Sequence, residues 1–434
     1  MSSLAIDVRG TRYPVVLPTV RDPRLHLAAV IVSLQILGQI AFAFRLSVAQ
    51  ILISLGACAV PEVAIVCRRQ GVLMWPASAL VTGNGVAFVL RVPGTQHGDW
   101  WSTRGWWIFA ATAAVSLLSK HVVRVRGSHV FNPSNIGLVL CFLALGSSRA
   151  EPLDFWWGPM STWMALALAI IVVGGLAILS RLRLLEIAVS FWAAFAAALG
   201  VLAATGHWMT ARWHLGPIAG LDFWRTLVTS PEILVFLFFM ITDPKTIPGG
   251  RRERAAYAVA VGLLAALLIA PARTEYWSKV AVLGALTLAC AARSVAGLLG
   301  ARLPRRPQRL LPAAACGLVV YFGGLVAMGI AAPAVPAALA SHGNRYAAPL
   351  PPITILPSRG VDSALSKTAA ARIAGDLMSD LRKRGPVRVE RISLWLELGT
   401  QGGSTPVVRL EPGGTTLELA LTNGRYVVSR VRPQ

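Results

Sequence analysis

Runs of about twenty apolar residues follow one another through the first three quarters of this 434-residue chain. A run of that length crosses the hydrocarbon of a bilayer as one helix. Lipid offers no partner to a peptide N–H or C=O, so a chain built this way must close its backbone hydrogen bonds within helices. Eleven segments are predicted, at approximately 26–45, 47–67, 75–92, 105–120, 131–147, 160–179, 184–204, 229–242, 254–271, 278–299 and 309–331. The third and eighth are short or interrupted by Gly and Pro, which predicts broken or tilted helices there.

Composition supports the membrane reading. Charged residues make up 14% of the chain, against about a quarter in a soluble globular protein. The net charge of +22 is shared with nucleic-acid binders, but here the basic residues stand in short clusters between apolar runs, so no nucleic-acid partner is expected. With the N-terminus inside, 19 Lys or Arg residues fall on inside loops and eight on outside loops, the bias expected of cytoplasmic positive loops. The outside loops carry Trp100, Trp101, Trp156, Trp157, Trp208, Trp213, Trp224 and Trp277, which read as an interfacial aromatic belt. The expected location is therefore a bacterial cytoplasmic membrane, with the lipid bilayer as partner.

The five cysteines (Cys58, Cys67, Cys141, Cys290, Cys316) show no CxxC or Cys/His spacing, so neither disulfides nor zinc are expected. The first 25 residues lack the apolar core of a signal peptide, so the first run is expected to stay as an anchor behind a cytoplasmic segment, 1–25. An odd number of spans puts the C-terminus outside. From about Ser341 a Pro-rich linker leads into a polar tail. Leu365, Ala369, Ile373, Leu377 and Leu381, four apart, predict an amphipathic helix. After Gly385, alternating runs such as VRVERISLWLEL and TTLELAL predict the strands of a small α+β domain, 341–434, with no catalytic cluster.

Polar motifs interrupt the apolar runs. In SALVTGNGVAF, Ser78 to Phe88, the Ser and Thr hydroxyls can bond back to the helix, and Gly83 and Gly85 allow either a break or close helix packing. In HVFNPSNIG, Asn132 caps a helix that Pro133 begins. That start reads either as a ligand-facing helix end within the membrane or as a capped start at its surface. In FFMITDPKTIP, Asp243 before Pro244 ends the eighth segment, with Lys245 and the arginines at 251, 252 and 254 as its expected ion-pair partners. Glu62 lies deep in the second segment, and an ionisable residue at depth is a functional candidate; Glu186 is expected to pair at the inner boundary.

SALVTG, then Lys120–His121, then FNPSNIG, then FFMITDPKTIP, in that order, resemble the RnfD/NqrB membrane subunits of ion-translocating NADH and ferredoxin oxidoreductases, including a divergent branch found around enediyne gene clusters. The resemblance covers roughly residues 30 to 300. It implies ten helices in two inverted five-helix repeats, a bound flavin, electron transfer, and other membrane redox subunits as partners. The eleventh helix and linker (301–340) and the C-terminal domain are additions to that pattern. One departure matters: the S/T-G-A-T sequence whose threonine carries FMN in those subunits is absent. Ser161 and Thr162 stand near the matching place without the surrounding pattern, so a non-covalent FMN or riboflavin is the expectation. The residues expected to line the site are Ser78, Thr82, Gly83, Asn132, Asn135, Thr162, Thr242 and Asp243, with the two asparagines donating to a flavin carbonyl or other ligand. No NAD-binding fingerprint is present, so nicotinamide would be oxidised elsewhere. A cofactor-free transporter of similar fold, and a scaffold acting through its C-terminal domain, are the alternatives.

Overall fold

The computed structural model describes residues 5–8, 11–153, 161–211, 217–298, 307–330, 351–360, 365–384, 389–398, 404–411, 414–422 and 425–432. The chain divides into two compact units, Met1–Val335 and Pro336–Gln434.

The first unit is helical, and six of its helical stretches are long and apolar enough to cross a membrane. Its helices are α1 (Pro23–Ala41), α2 (Val48–Gln70), α3 (Ala77–Val89), α4 (Trp106–Val122), α5 (Pro133–Leu145), α6 (Thr162–Leu182) and α7 (Leu185–Ala204). They continue with α8 (Gly220–Val228), α9 (Pro231–Val235), α10 (Arg251–Ile269), α11 (Glu275–Leu298) and α12 (Pro307–Ile330). Of the two segments expected to be broken or tilted, the eighth is broken and the third is short but unbroken. Helix α3 has only 13 residues, and the eighth segment is the five-residue α9 running into a π-helical turn, Phe236–Met240. Helix α5, expected to be full length, also has only 13 residues, because the Asn132–Pro133 start and Gly146 set its ends.

Sequence reasoning anticipated helices only in this unit, yet short ladders stitch its loops. The first segment forms a hairpin, β1 (Ala5–Val8) with β2 (Thr11–Val16), which adds β3 (Leu73–Met74) in parallel. Three further pairs join β4 (Leu90–Arg91) to β7 (Glu151–Pro152), β5 (Arg124–Val125) to β6 (Ser128–His129), and β8 (Trp208–Thr210) to β9 (Pro217–Ala219). These ladders give loop backbone the partners it needs near a bilayer.

Helix α2 packs on α3 and α4, α4 on α5, and α1 on α3 and α6; further along, α7 packs on α8 and α10, α10 on α11, and α6 on α9 and the π turn. Helix α5 packs on α11, and α12 lies against α7. Small residues permit the closest approaches. A side chain at Gly83 would bring its Cβ within 2.5 Å of the Ser54 carbonyl oxygen, and one at Gly137 within 2.9 Å of the Thr112 carbonyl. Gly83 thus serves helix packing, and α3 runs through it unbroken. We call the ends where α1, α3 and α5 begin the near face, and the opposite ends the far face.

The second unit is a five-stranded sheet in the order β10 (Ile353–Ile355), β11 (Arg391–Leu398), β12 (Ser404–Glu411), β13 (Thr416–Thr422), β14 (Arg425–Arg432), covered by α13 (Lys367–Arg384). Strand β10 pairs parallel to β11, and the rest are antiparallel. Ile373 and Leu377 of the predicted amphipathic helix are buried against Ile392, Leu394, Val408 and Leu417. Strand β10 falls in the stretch read as linker, an extra strand that the prolines around it concealed.

Candidate functional site

At the near face, a break in the chain brings the FNPSN and ITDP motifs together. The π turn ends with a bond from Ile241 N–H to the Phe236 carbonyl, and the carbonyls of such an end need partners from elsewhere. Asn132 supplies one: its Nδ2 donates to the Met240 carbonyl at 3.1 Å. The same side chain caps α5, its Oδ1 accepting from Asn135 N–H at 3.2 Å and from Ser134 Oγ at 2.9 Å. Thr242 donates back to the Phe238 carbonyl at 2.7 Å. Asn135 reaches the other way, its Nδ2 donating to the Leu283 carbonyl and to Thr287 Oγ1 of α11, both at 2.9 Å. Its Oδ1 is buried and has no protein donor.

Asp243 holds the break, as the Asp–Pro pair predicted, but with a different partner. Its Oδ1 accepts from the Lys245 backbone N–H at 3.1 Å, and its Oδ2 lies 3.3 Å from His129 Nε2. The expected pairing with the side chain of Lys245 or with the arginines at 251, 252 and 254 is replaced by this histidine, because the turn through Pro244 points the carboxylate back toward β6. Arg254 instead pairs with Glu186 at 2.7 Å, which is the boundary role expected of Glu186.

Beside this junction lies a buried charge cluster. Glu62, one residue after Pro61 in α2, meets Lys120 Nζ through Oε1 and His121 Nε2 through Oε2, each at 2.6 Å. Lys120 Nζ also lies 3.3 Å from Ser78 Oγ, and Thr82 donates back to the Ser78 carbonyl at 2.9 Å. Ser78, Glu62, Lys120 and His121 therefore converge from three helices, and Ser134 of α5 faces Gly85 of α3, where an added Cβ would meet its side chain at 3.4 Å. A carboxylate at this depth is satisfied only because an ammonium and an imidazole each meet one of its oxygens, and such intramembrane carboxylates are functional candidates.

A second charged group, at the far face, escaped sequence reasoning. Lys279 contacts Glu232 at 3.2 Å, Glu275 one turn earlier on α11, and the Leu153 carbonyl at 2.9 Å. Buried Arg91 donates to the carbonyls of Ala87, Phe88 and Leu90 at the end of α3. The i,i+4 spacing of Glu275 and Lys279 was the available signal. Tyr276 beside them donates to the Phe142 carbonyl of α5 at 2.7 Å.

Thr162 stands apart from these groups, exposed at the far-face start of α6 beside Trp163, which is 51% exposed. Ser161 caps that helix through Met164 N–H at 3.2 Å. Trp208, read as part of the interfacial belt, is instead buried beneath Arg273, and Trp224 donates inward to the Ala196 carbonyl. Trp156, Trp157 and Trp213 lie outside the described residues.

These contacts decide which residues fit a flavin. The hydrogens of Asn135 Nδ2 are both committed to protein acceptors, and Thr82 and Thr242 donate to their own helices. A cavity of about 60 Å³ lined by Phe88, Leu153, Glu232, Phe236, Met240 and Lys279 has room for a few waters and none for a three-ring isoalloxazine. Asn135, Thr82 and Thr242 therefore have no hydrogen left to donate to the cofactor that the resemblance implies, and the small cavity lies at the other face, beside Glu232 and Lys279. No protein-family model matches the sequence, and no curated protein matches it significantly.

Proposed function

We propose that the first unit is an integral membrane subunit of a redox system, built from two related five-helix halves of opposite orientation, α1–α5 and α6–α11. The packing supports this reading. Contacts α2 with α3, α2 with α4, α4 with α5 and α1 with α3 have counterparts in α7 with α8, α7 with α10, α10 with α11 and α6 with α9, while α1–α6 and α5–α11 join the halves. Inverted halves that meet at short or broken helices are the architecture of membrane proteins that move charge or solute through their centre.

The observation that carries the reading is the junction itself. Two motifs that resemble those of RnfD/NqrB subunits, 108 residues apart at Asn132 and Met240, meet through a side chain of one half and a helix end of the other. A flavin, FMN or riboflavin, supplies the electron-transfer chemistry when bound. The chain's residues suited to hold it are those at the start of α6, where Thr162 and Trp163 are accessible. In this reading the near face is cytoplasmic, the C-terminal unit is outside, and other redox subunits dock on the membrane unit.

The absorption spectrum of the full-length protein in mild detergent, before and after acid precipitation, tests the proposal. Flavin absorbance released to the supernatant, and lost in T162A/W163A, supports it. A protein still colourless after incubation with FMN and riboflavin overturns it. The second reading, a cofactor-free transporter, is favoured by the buried Glu62–Lys120–His121 cluster, since membrane carboxylates mark ion and proton paths. Substrate-dependent flux in vesicles from a colourless protein supports that reading.

A further inference from the structure

The seam between α5 and α11 opens outward into a groove of about 660 Å³. Its walls are apolar: Ile136, Val139, Leu140 and Leu143 of α5 face Val280, Ala281 and Leu288 of α11, and Gly284 leaves the floor low, where even an added Cβ would come no nearer than 4.0 Å to Leu268. Among the described residues, polar groups stand only at the two ends. At the deep end is Thr287, whose hydroxyl accepts from Asn135; at the far face are Arg273 and Thr274. From Trp277 to Leu288 the α11 wall rises about 16 Å at 1.5 Å per residue, and one leaflet of a bilayer's hydrocarbon core is about 15 Å deep. The groove therefore runs the depth of one leaflet.

Its mouth is built to hold a charge in place. Thr210 fixes the Arg273 backbone, donating to its carbonyl through N–H at 2.9 Å and through Oγ1 at 3.1 Å. The guanidinium lies 5.5 Å from the centre of the Trp208 ring and shares a 2.6 Å contact, Nη1 to Nδ1, with fully buried His207. That contact uses one of five guanidinium N–H donors and leaves the positive charge half-exposed at the rim. Thr274 and Trp277, which is 45% exposed, flank it at the depth where indole rings meet headgroups.

We propose that this groove is a binding site for one anionic phospholipid of the far leaflet, its acyl chain between α5 and α11 and its phosphate on Arg273. Charge complementarity and the one-leaflet length select this occupant. A zwitterionic lipid fits the same walls but brings its own cation to the arginine. Because the chain's tip reaches Thr287, the lipid would support the α11 side of the Asn135 bridge and so the junction between the halves.

Native mass spectrometry of the full-length, delipidated protein tests the proposal, with dioleoyl phosphatidylglycerol or dioleoyl phosphatidylcholine as the added probe. The expected result is one phosphatidylglycerol retained about tenfold more tightly than phosphatidylcholine, because both offer a phosphate to Arg273 but only phosphatidylcholine brings a cation beside it. R273Q should erase the preference while keeping weak binding of both lipids. G284F, or L140W on the opposite wall should the first variant fold poorly, should remove the retained lipid. Equal retention of the two lipids by the wild type, or an unchanged lipid count in folded G284F and L140W, overturns the proposal.

Discussion

The Asn132 side-chain amide donates to the Met240 carbonyl at 3.1 Å while its oxygen caps α5, so one residue both starts a helix and closes the end of another. The two tasks separate by substitution. N132S keeps a capping hydroxyl and loses the donation, leaving the Met240 carbonyl buried without a partner at a cost of about 1–3 kcal/mol. N132A should lose about 1 kcal/mol more with the cap. Thermal melts in detergent should rank wild type above N132S and N132S above N132A; equal midpoints for the two variants would show that the cap contributes nothing.

Glu62 meets the Lys120 ammonium and the His121 ring in a largely buried place, and that makes its removal asymmetric. E62L strands Lys120 without its counter-ion, a change that costs about 3–5 kcal/mol when one member of a buried pair is deleted. E62L/K120M removes both members of the pair, so it should recover most of that loss. A double-mutant cycle on thermal midpoints measures the coupling. If the double variant is less stable than E62L, the pair is not the reason Lys120 is tolerated there.

Two glycines of neighbouring helices should respond in opposite ways. A Cβ at Gly83 would meet the Ser54 carbonyl oxygen at 2.5 Å, backbone against backbone, so G83V should push α3 off α2 at a cost of about 1–3 kcal/mol or more. Gly56, two residues on from that contact on α2, has nothing within 4 Å of an added Cβ, so G56A should gain up to about 1 kcal/mol from helix propensity. Yield and midpoint of the purified variants decide between these outcomes; a tolerated G83V would remove the close packing assigned to that position.

The helices were legible because a run of apolar residues in a membrane has one way to satisfy its backbone. Their starts and stops were legible where local chemistry fixes them, at Asn132–Pro133 and at Asp243–Pro244, whereas the end of α2 at Gln70, before the left-handed Gly71, lies three residues past the expected 67. The partner of Asp243 was not, since His129 stands 114 positions away and only the folded turn brings it near. Nor was the destination of the asparagine amides. Which carbonyls lack a partner depends on where the helix breaks, and the π turn in FLFFM leaves no mark in an unbroken apolar run. Glu232 shows the same limit: it reads as an ordinary first-turn acid of α9 until Lys279 is seen beside it.

The C-terminal unit should weaken in acid through one identifiable carboxylate. Glu397 on β11 is pushed up by burial, but hydrogen bonds from the Trp395 indole and from Arg432, with the charge of Arg432, outweigh this and hold it below its ordinary value of 4.5. Its Oε2 lies 2.8 Å from Arg432 Nη2, and that arginine also ties Glu418 of β13, so β14, β13 and β11 share one cation. A carboxyl whose folded pKa lies below its unfolded one contributes stability that is complete above the unfolded value and is lost as pH falls through the folded one. Amide hydrogen exchange of β11 and β14 in the full-length protein, corrected for intrinsic rate and followed from about pH 6 to about pH 3, should show protection falling on the acid side of 4.5. In E397Q the protection should start lower and fall less over the same range. If wild type and E397Q lose protection in parallel, other carboxylates carry the acid response and the Glu397–Arg432 pair is a solvated surface contact.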